Sequence, residues 1–209
     1  MQPIVAISAR ISQSRAVNLP NAITVSRLFL TAGFILFVSQ QGTWGHFIAL
    51  ILFIIAAISD FVDGWLARKM NLVTPLGKLL DPLADKILVC SAFVYLSAAE
   101  LCPVWVTTLI IGREFLVTGL RQIAIEAGQV LAADRLGKWK TGFQLTYLIA
   151  GMIMLTLDTM ESVEAPLSYL HSLTKGPWLL PTSLVLAVGL TVVSGWNYVW
   201  SSRYLLKGA

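Results

Sequence analysis

The sequence predicts an all-α integral membrane protein: six transmembrane helices, preceded by a short N-terminal amphipathic helix lying in the interface. Three observations predict it. First, 56% of the 209 residues are hydrophobic and mean hydropathy is +0.76, whereas soluble domains are about 45–50% apolar even with Gly counted. Second, crossing the hydrocarbon takes about 20 apolar residues, and six such segments use most of the chain. Third, charged residues, only 12% of the total, gather at the segment ends and in two compact stretches.

Residues 1–17 set Ile4, Val5, Ile7, Ile11 and Val17 against Arg10, Gln13 and Arg15, the pattern of an interfacial amphipathic segment. Its apolar core, Ile4 to Ile7, is too short for a secretory leader. Asn18-Leu-Pro20-Asn21 then breaks the chain, and Asn21 is placed to cap a new helix. Residues 18–209 form one six-helix membrane domain, with spans over 22–40, 45–70, 80–98, 104–127, 138–157 and 177–198. The second span exceeds about 20 residues, so its end projects past the hydrocarbon. Thr74-Pro75-Leu76-Gly77 reads as the break before the third span, and Glu100-Leu-Cys-Pro103 as the turn after it. A longer acidic loop over 158–176 precedes the last span. Cys90 and Cys102 are twelve residues apart on or beside one helix, too far to bridge at about 1.5 Å rise per residue. His46 and His171 lack ligand-like neighbours in sequence and read as non-functional. The net charge of +4 does not point to nucleic acid.

The chain is organised around Asp60-Phe-Val-Asp63-Gly64-Trp-Leu-Ala67-Arg68 and Gly77-Lys-Leu-Leu-Asp81-Pro-Leu-Ala-Asp85, which hold four of its eleven acidic residues. Asp60 and Asp63 are three apart and Asp81 and Asp85 four apart, so each pair shares a helix face. Gly64 and Ala67 continue the first face with almost no side chain, which lets a ligand or backbone come close. Four converging carboxylates repel unless cations sit among them. Hard oxygen donors suit two divalent cations, Mg²⁺ or Mn²⁺, and a two-metal centre suits displacement at phosphorus. The same residues also allow polar glue between spans, or a proton or cation path.

The pattern D-x2-D-G-x2-A-R-x8-G-x3-D-x3-D, carried by Asp60, Asp63, Gly64, Ala67, Arg68, Gly77, Asp81 and Asp85, resembles the signature of the CDP-alcohol phosphotransferases at every fixed position. The resemblance implies a six-helix bundle, a homodimer, and a two-metal site at the cytoplasmic side that cleaves a CDP-linked lipid and releases CMP. It implies that Asp60, Asp63 and Asp81 hold one metal and that Asp60, Asp81 and Asp85 surround the second. Asp85 is then also the general base, the catalytic residue. Gly64, Arg68 and Thr74 would contact the CDP-lipid, with Ala67 on the same small face. Asn-Leu-Pro-Asn-x-x-Thr-x-x-Arg resembles the start of bacterial members, which adds Asn21 and Thr24 to the CDP-lipid set and places Arg27 beside them. Without the resemblance, Arg27 reads as an arginine snorkelling to the headgroups.

A second stretch, Gly112-Arg113-Glu114-Phe-Leu-Val-Thr118-Gly-Leu-Arg121, puts two arginines on one face, eight residues apart. On a helix Arg113 and Glu114 point about 100° apart, so each is free to pair on another helix. Gly137-Lys138-Trp-Lys140-Thr141 opens the fifth span, where Lys and Trp ordinarily serve as interfacial anchors. Together the two stretches resemble the phosphatidylglycerophosphate synthase branch of the family, whose acceptor is sn-glycerol 3-phosphate. Arg113, Arg121, Lys138 and Lys140 would grip the acceptor phosphate, a dianion suited to forked guanidiniums. This resemblance runs from about Asn18 to Gln144; the last third matches only in being apolar.

The expected reaction is transfer of the phosphatidyl group of CDP-diacylglycerol to glycerol 3-phosphate, giving phosphatidylglycerophosphate and CMP. The rivals are a sister enzyme with another acceptor, a cardiolipin synthase or a phosphatidylinositol-phosphate synthase, and a cation transporter using the same carboxylates. Of the 15 Lys and Arg, thirteen gather toward the side of the termini, Lys175 falls on the opposite side and Arg113 lies deep within a span. The positive-inside rule then puts both termini and the carboxylates at the cytoplasmic face of a bacterial-type inner membrane.

Overall fold

A computed structural model describes residues 25–40, 42–70, 75–126, 128–129, 135–160 and 166–203; for 61, 63–70, 75–82, 85 and 135 the description is of helix backbone alone. The predicted interfacial segment over 1–17, and with it Asn21, Thr24 and Thr74, lies outside the described residues. Every regular element among the described residues is an α-helix. They are α1 (Val25–Val38), α2 (Thr43–Met70), α3 (Pro75–Ala98), α4 (Val104–Glu126), α5 (Arg135–Asp158), α6 (Leu167–Lys175) and α7 (Leu179–Ser201).

Two of these differ from expectation. α3 begins at Pro75, five residues before the predicted start at Leu80. A proline in the first turn costs a helix nothing, because the N–H it lacks has no intrahelical acceptor there. Pro75 therefore opens the helix instead of lengthening the break. The segment expected to be a loop over 158–176 contains α6. Its nine residues are too short to read against the polar surroundings, and it is held from outside by α5 and α7.

Two ends show how the backbone stops. After α3, Glu100 N–H donates to the Ser97 carbonyl and Leu101 N–H to the Leu96 carbonyl. After α4, Gly128 N–H donates to Ile125 and Gln129 N–H to Ala124. Both are paired 5→2 and 6→1 closures that need a left-handed residue after the cap. Gly128 takes it at φ 72° and Glu100 at φ 60°.

The chain divides into two compact units, one ending at Ser91 and one beginning at Ala92, so the division falls within α3. In the first, α1 and α2 form an antiparallel hairpin. Arg27 meets Asp60, and seven residues on, Phe34 meets Phe53 with ring centroids 5.7 Å apart.

In the second unit, α7 packs most extensively on α5 and also on α4, and α6 on α5 and α7. Phe93 stacks on Tyr147, centroids 6.1 Å apart, and Leu96 lies against Gly151. Both residues advance together, so α3 and α5 run the same way. α4 and α7 do too: Arg113 reaches Ser194 and Arg121 reaches Tyr198.

The polarity of α7 is inverted relative to a helix of a water-soluble bundle. α7 buries Ser183, Ala187, Thr191, Ser194, Gly195 and Tyr198 and exposes Val185, Val192, Val193, Trp196 and Trp200. Small and polar residues line the interior because they allow close helix approach and hydrogen bonding across it. Thr43–Asp60 and Leu179–Ser201 are long and apolar enough to cross a membrane; shorter apolar stretches are Val25–Val38 and Lys86–Ala98. α4 and α5 fall short of that standard because they carry Arg113, Glu114, Arg121, Lys138 and Lys140.

His171 is not without a partner, contrary to the sequence reading. At the end of α5, beyond its apolar stretch, Asp158 Oδ1 lies 2.7 Å from His171 Nε2 and 2.5 Å from Lys175 Nζ, both on α6. Burial alone would raise the Asp158 carboxyl. The hydrogen bonds and charges of Lys175 and His171 outweigh it and hold the pKa below the ordinary value. A carboxyl whose pKa is lower folded than unfolded stabilises fully above its unfolded value, about 3.9, and loses that contribution as pH falls through the folded value. Between about pH 5 and 3, wild type should therefore lose docking of α6 that Asp158→Asn never had. Amide exchange of α6 against pH checks this: identical acid limbs in the two proteins would contradict it.

Candidate active site

Asp60 stands two residues past the apolar run Phe47 to Ile58 of α2, beside Ser59, whose hydroxyl is turned to the Ile55 carbonyl. Its partner comes from α1. Arg27 Nη1 lies 2.5 Å from Asp60 Oδ1; the arginine side chain is 1% exposed and the aspartate 45%. So Arg27 does not snorkel as the sequence reading had it. A guanidinium enclosed this far needs an anion, and Asp60 supplies one while keeping an open side. Thr31, one turn further on α1, turns its hydroxyl onto the Arg27 carbonyl at 2.8 Å, so it adds no competing acceptor for the guanidinium.

Asp63, Gly64, Ala67 and Arg68 continue on α2, and Gly77, Asp81 and Asp85 lie on α3. The backbone confirms the helical spacing within each pair: Asp60 and Asp63 share one face of α2, and Asp81 and Asp85 one face of α3. Side-chain positions for all of these but Asp60 lie outside the described residues. Among the described residues no group of three His, Cys, Asp or Glu is gathered.

In the second unit, Arg113, Glu114 and Arg121 come from α4, and Lys138 and Lys140 from α5. Glu114 ties two of the cations together. Its Oε1 receives Lys140 Nζ and, at 3.3 Å, Arg113 Nη1. Adjacent residues on a helix do meet here, because the long arginine bends back along α4. Arg113 Nη2 donates to Ser194 Oγ on α7 at 2.9 Å, and Gln144 Nε2 to Thr191 Oγ1 at 3.3 Å. The Lys140 side chain is 4% exposed and that of Arg113 11%, so both are enclosed with one carboxylate between them. Lys138 and Arg121 are exposed.

Arg121 takes a different partner. Its Nη2 donates to the Tyr198 hydroxyl on α7. The guanidinium carbons of Arg121 and Arg113 lie 5.0 and 5.7 Å from the Tyr198 ring centroid. Ser194 and Tyr198 were missed in the sequence because α7 reads there as a uniform apolar span. The only sign was their spacing of four, one turn, which places both on the face toward α4.

The arrangement fits anionic substrates. One unit offers a carboxylate pair on each of two helices; the other offers exposed cations, Arg121 and Lys138, and a network joined through Glu114. A family model described as CDP-alcohol phosphatidyltransferase matches residues 17–195. The match runs well beyond Gln144, so α5 to α7 belong to the shared fold as much as the signature does. The CDP-diacylglycerol–glycerol-3-phosphate 3-phosphatidyltransferase of Bacillus subtilis is 42% identical over 202 residues, 91% of this chain and 97% of that protein. A protein of the same name from Cereibacter sphaeroides is 30% identical over 215 residues, again 91% and 97%. One from Rickettsia typhi is 33% identical over 181 residues, 87% and 94%. With a match across most of its length and relatives of its own size, this chain belongs to the CDP-alcohol phosphatidyltransferase family.

Proposed function

We propose that this protein transfers the phosphatidyl group of CDP-diacylglycerol to the hydroxyl of sn-glycerol 3-phosphate, giving phosphatidylglycerophosphate and CMP. What carries the reading is its kinship, along nearly the whole chain, with enzymes named for that reaction. The cations on α4 and α5 support the same acceptor, since serine or free inositol would leave them without a phosphate to meet. We place the enzyme in a bacterial-type inner membrane as a homodimer of six-span chains, with α6 as a short element outside the spans. The inverted polarity of α7 and the alternating directions of the long helices support spanning. The positive-inside distribution supports a cytoplasmic site and termini.

Asp60, Asp63, Asp81 and Asp85 fit two divalent cations, Mg²⁺ or Mn²⁺. They supply only oxygen donors, and Asp60 keeps an exposed carboxylate although Arg27 neutralises one side of it. When bound, such ions would neutralise the diphosphate of the donor and stabilise charge on departing CMP. Asp60, Asp63 and Asp81 would hold one, and Asp60, Asp81 and Asp85 the other. Asp85 would accept the acceptor hydroxyl proton on a carboxylate oxygen. Asn21, Thr24, Gly64, Ala67, Arg68 and Thr74 would hold the CDP-lipid. Arg121 and Lys138, the exposed cations, would meet the acceptor phosphate directly. Arg113 and Lys140 would act from behind through Glu114, which gives both a partner in an enclosed setting.

Purified protein should release CMP from CDP-diacylglycerol when given glycerol 3-phosphate, and not when given serine or inositol. Release only with phosphatidylglycerol or inositol phosphate would move the chain to a sister reaction, and cation flux without CMP release would make it a transporter.

Turnover should vanish on stripping with EDTA and return with Mg²⁺ or Mn²⁺. Asp81→Asn should abolish it in a protein that still elutes as wild type. Full activity in EDTA would exclude the metal reading. Asp60→Asn is the poorer probe, because it removes the anion from the enclosed Arg27 guanidinium and so mixes stability with chemistry.

Arg27→Lys keeps the charge and loses the fork. It should fold, yet show CMP release reduced by about tenfold or more as Asp60 loses its fixed orientation. Unchanged kcat in Arg27→Lys would mean that the pair serves packing alone.

A further inference from the structure

We infer that Tyr198 is a positioning residue of the acceptor-phosphate site: its phenol holds the Arg121 guanidinium so that the remaining N–H groups face the acceptor's phosphate. This rests on the reading above that Arg121 meets that phosphate.

The geometry separates the two arginines. Arg113 is enclosed, with one terminal nitrogen on Glu114 and the other on Ser194. Arg121 is exposed, and among the described residues its hydrogen bond is to the Tyr198 hydroxyl. A guanidinium has five donors in a rigid fork. Fastened by one corner, it keeps the rest for a ligand and loses less rotamer freedom when the ligand arrives. Tyr198 itself is 6% exposed. It is therefore not one of the aromatic anchors that α7 turns outward, such as Trp196 and Trp200. Its ring lies within cation–π range of both guanidiniums, which offsets the repulsion of two like charges on one face of α4.

The rest of that face of α7 is shaped to the same end. A Cβ on Gly195 would stand 3.1 Å from Arg113 Cγ. The glycine therefore leaves the arginine stem room to lie against the helix, and Ser194 beside it takes the terminal nitrogen. Ser194, Gly195 and Tyr198 thus make one cradle for the α4 arginines. A second cation carrier behind the phosphate, Lys140, is anchored independently on Glu114.

The test uses the full-length enzyme in detergent–lipid micelles. CMP release is measured while glycerol 3-phosphate and CDP-diacylglycerol are varied in turn, for wild type, Tyr198→Phe, Arg121→Ala and the double variant. Tyr198→Phe keeps the ring and its packing. It should raise KM for glycerol 3-phosphate by about tenfold, the scale of one charge-assisted hydrogen bond. KM for CDP-diacylglycerol should stay within about twofold, and that constancy also reports an intact fold. Arg121→Ala should raise the acceptor KM at least as much. In its background Tyr198→Phe should add nothing, because the phenol then has no guanidinium to hold. An unchanged acceptor KM in Tyr198→Phe, an equal rise of both KM values, or full additivity in the double variant would each overturn the inference while wild-type kinetics stand. A wild type that ignores glycerol 3-phosphate but uses another acceptor would instead overturn the functional reading, and the inference with it.

Discussion

The ion pair of Arg27 and Asp60 is the contact on which the first unit depends. Neither residue is tolerable alone at its position. Arg27 is enclosed by the α1–α2 hairpin, where an unmatched charge costs several kcal/mol after relaxation. Asp60 follows an apolar run, Phe47 to Ile58, that offers no donor. Paired, they fix the register of α1 against α2 at one end, as Phe34 and Phe53 do further along. A slip of one residue would separate the charges. The pair therefore specifies the hairpin, and it leaves a carboxylate with one neutralised side and one open side.

The second unit solves the same problem with another stoichiometry. Two cations, Arg113 and Lys140, converge on the carboxylate of Glu114. Ser194, together with the aromatic face of Tyr198, completes the surroundings without adding an anion. The paired carboxylates thus lie on α2 and α3, and the cations that suit a phosphate on α4 and α5.

How much of this could be read from sequence depends on whether a signal was local. The helix spacing of Asp60 with Asp63, and of Asp81 with Asp85, is a property of the chain alone, and α2 and α3 preserve it. The stop after α3 was legible in Glu100-Leu-Cys-Pro103, although its closure puts Glu100 at φ 60°, the place that Gly128 takes after α4. Pro75 was legible as punctuation but ambiguous in sense, since proline ends one helix and begins another by the same missing N–H. α6 was hidden because its docking depends on Asp158, thirteen residues before His171 in sequence. Tyr198 was hidden for a related reason. Its importance lies in an arginine seventy-seven residues earlier, and α7 by composition shows only an apolar span.

The failure of α4 and α5 to look like membrane spans is itself informative. A helix that crosses a bilayer gains from every apolar residue it exposes and loses for each charge it carries. α7 follows that preference, with charge absent between Leu179 and Ser201. Apart from the charges at their very ends, α4 departs from it at Arg113, Glu114 and Arg121, and α5 at Lys138 and Lys140. No packing role requires so many ions: Ser, Thr and Gln, which α7 and α5 use elsewhere, join helices at lower cost. The charges are instead arranged so that Arg113 and Lys140 meet on Glu114 inside, while Arg121 and Lys138 are exposed. The uncharged span lends its small and aromatic face to hold them. α7, the helix that looks most purely structural in sequence, is thus the template on which the charged helix α4 is kept in order.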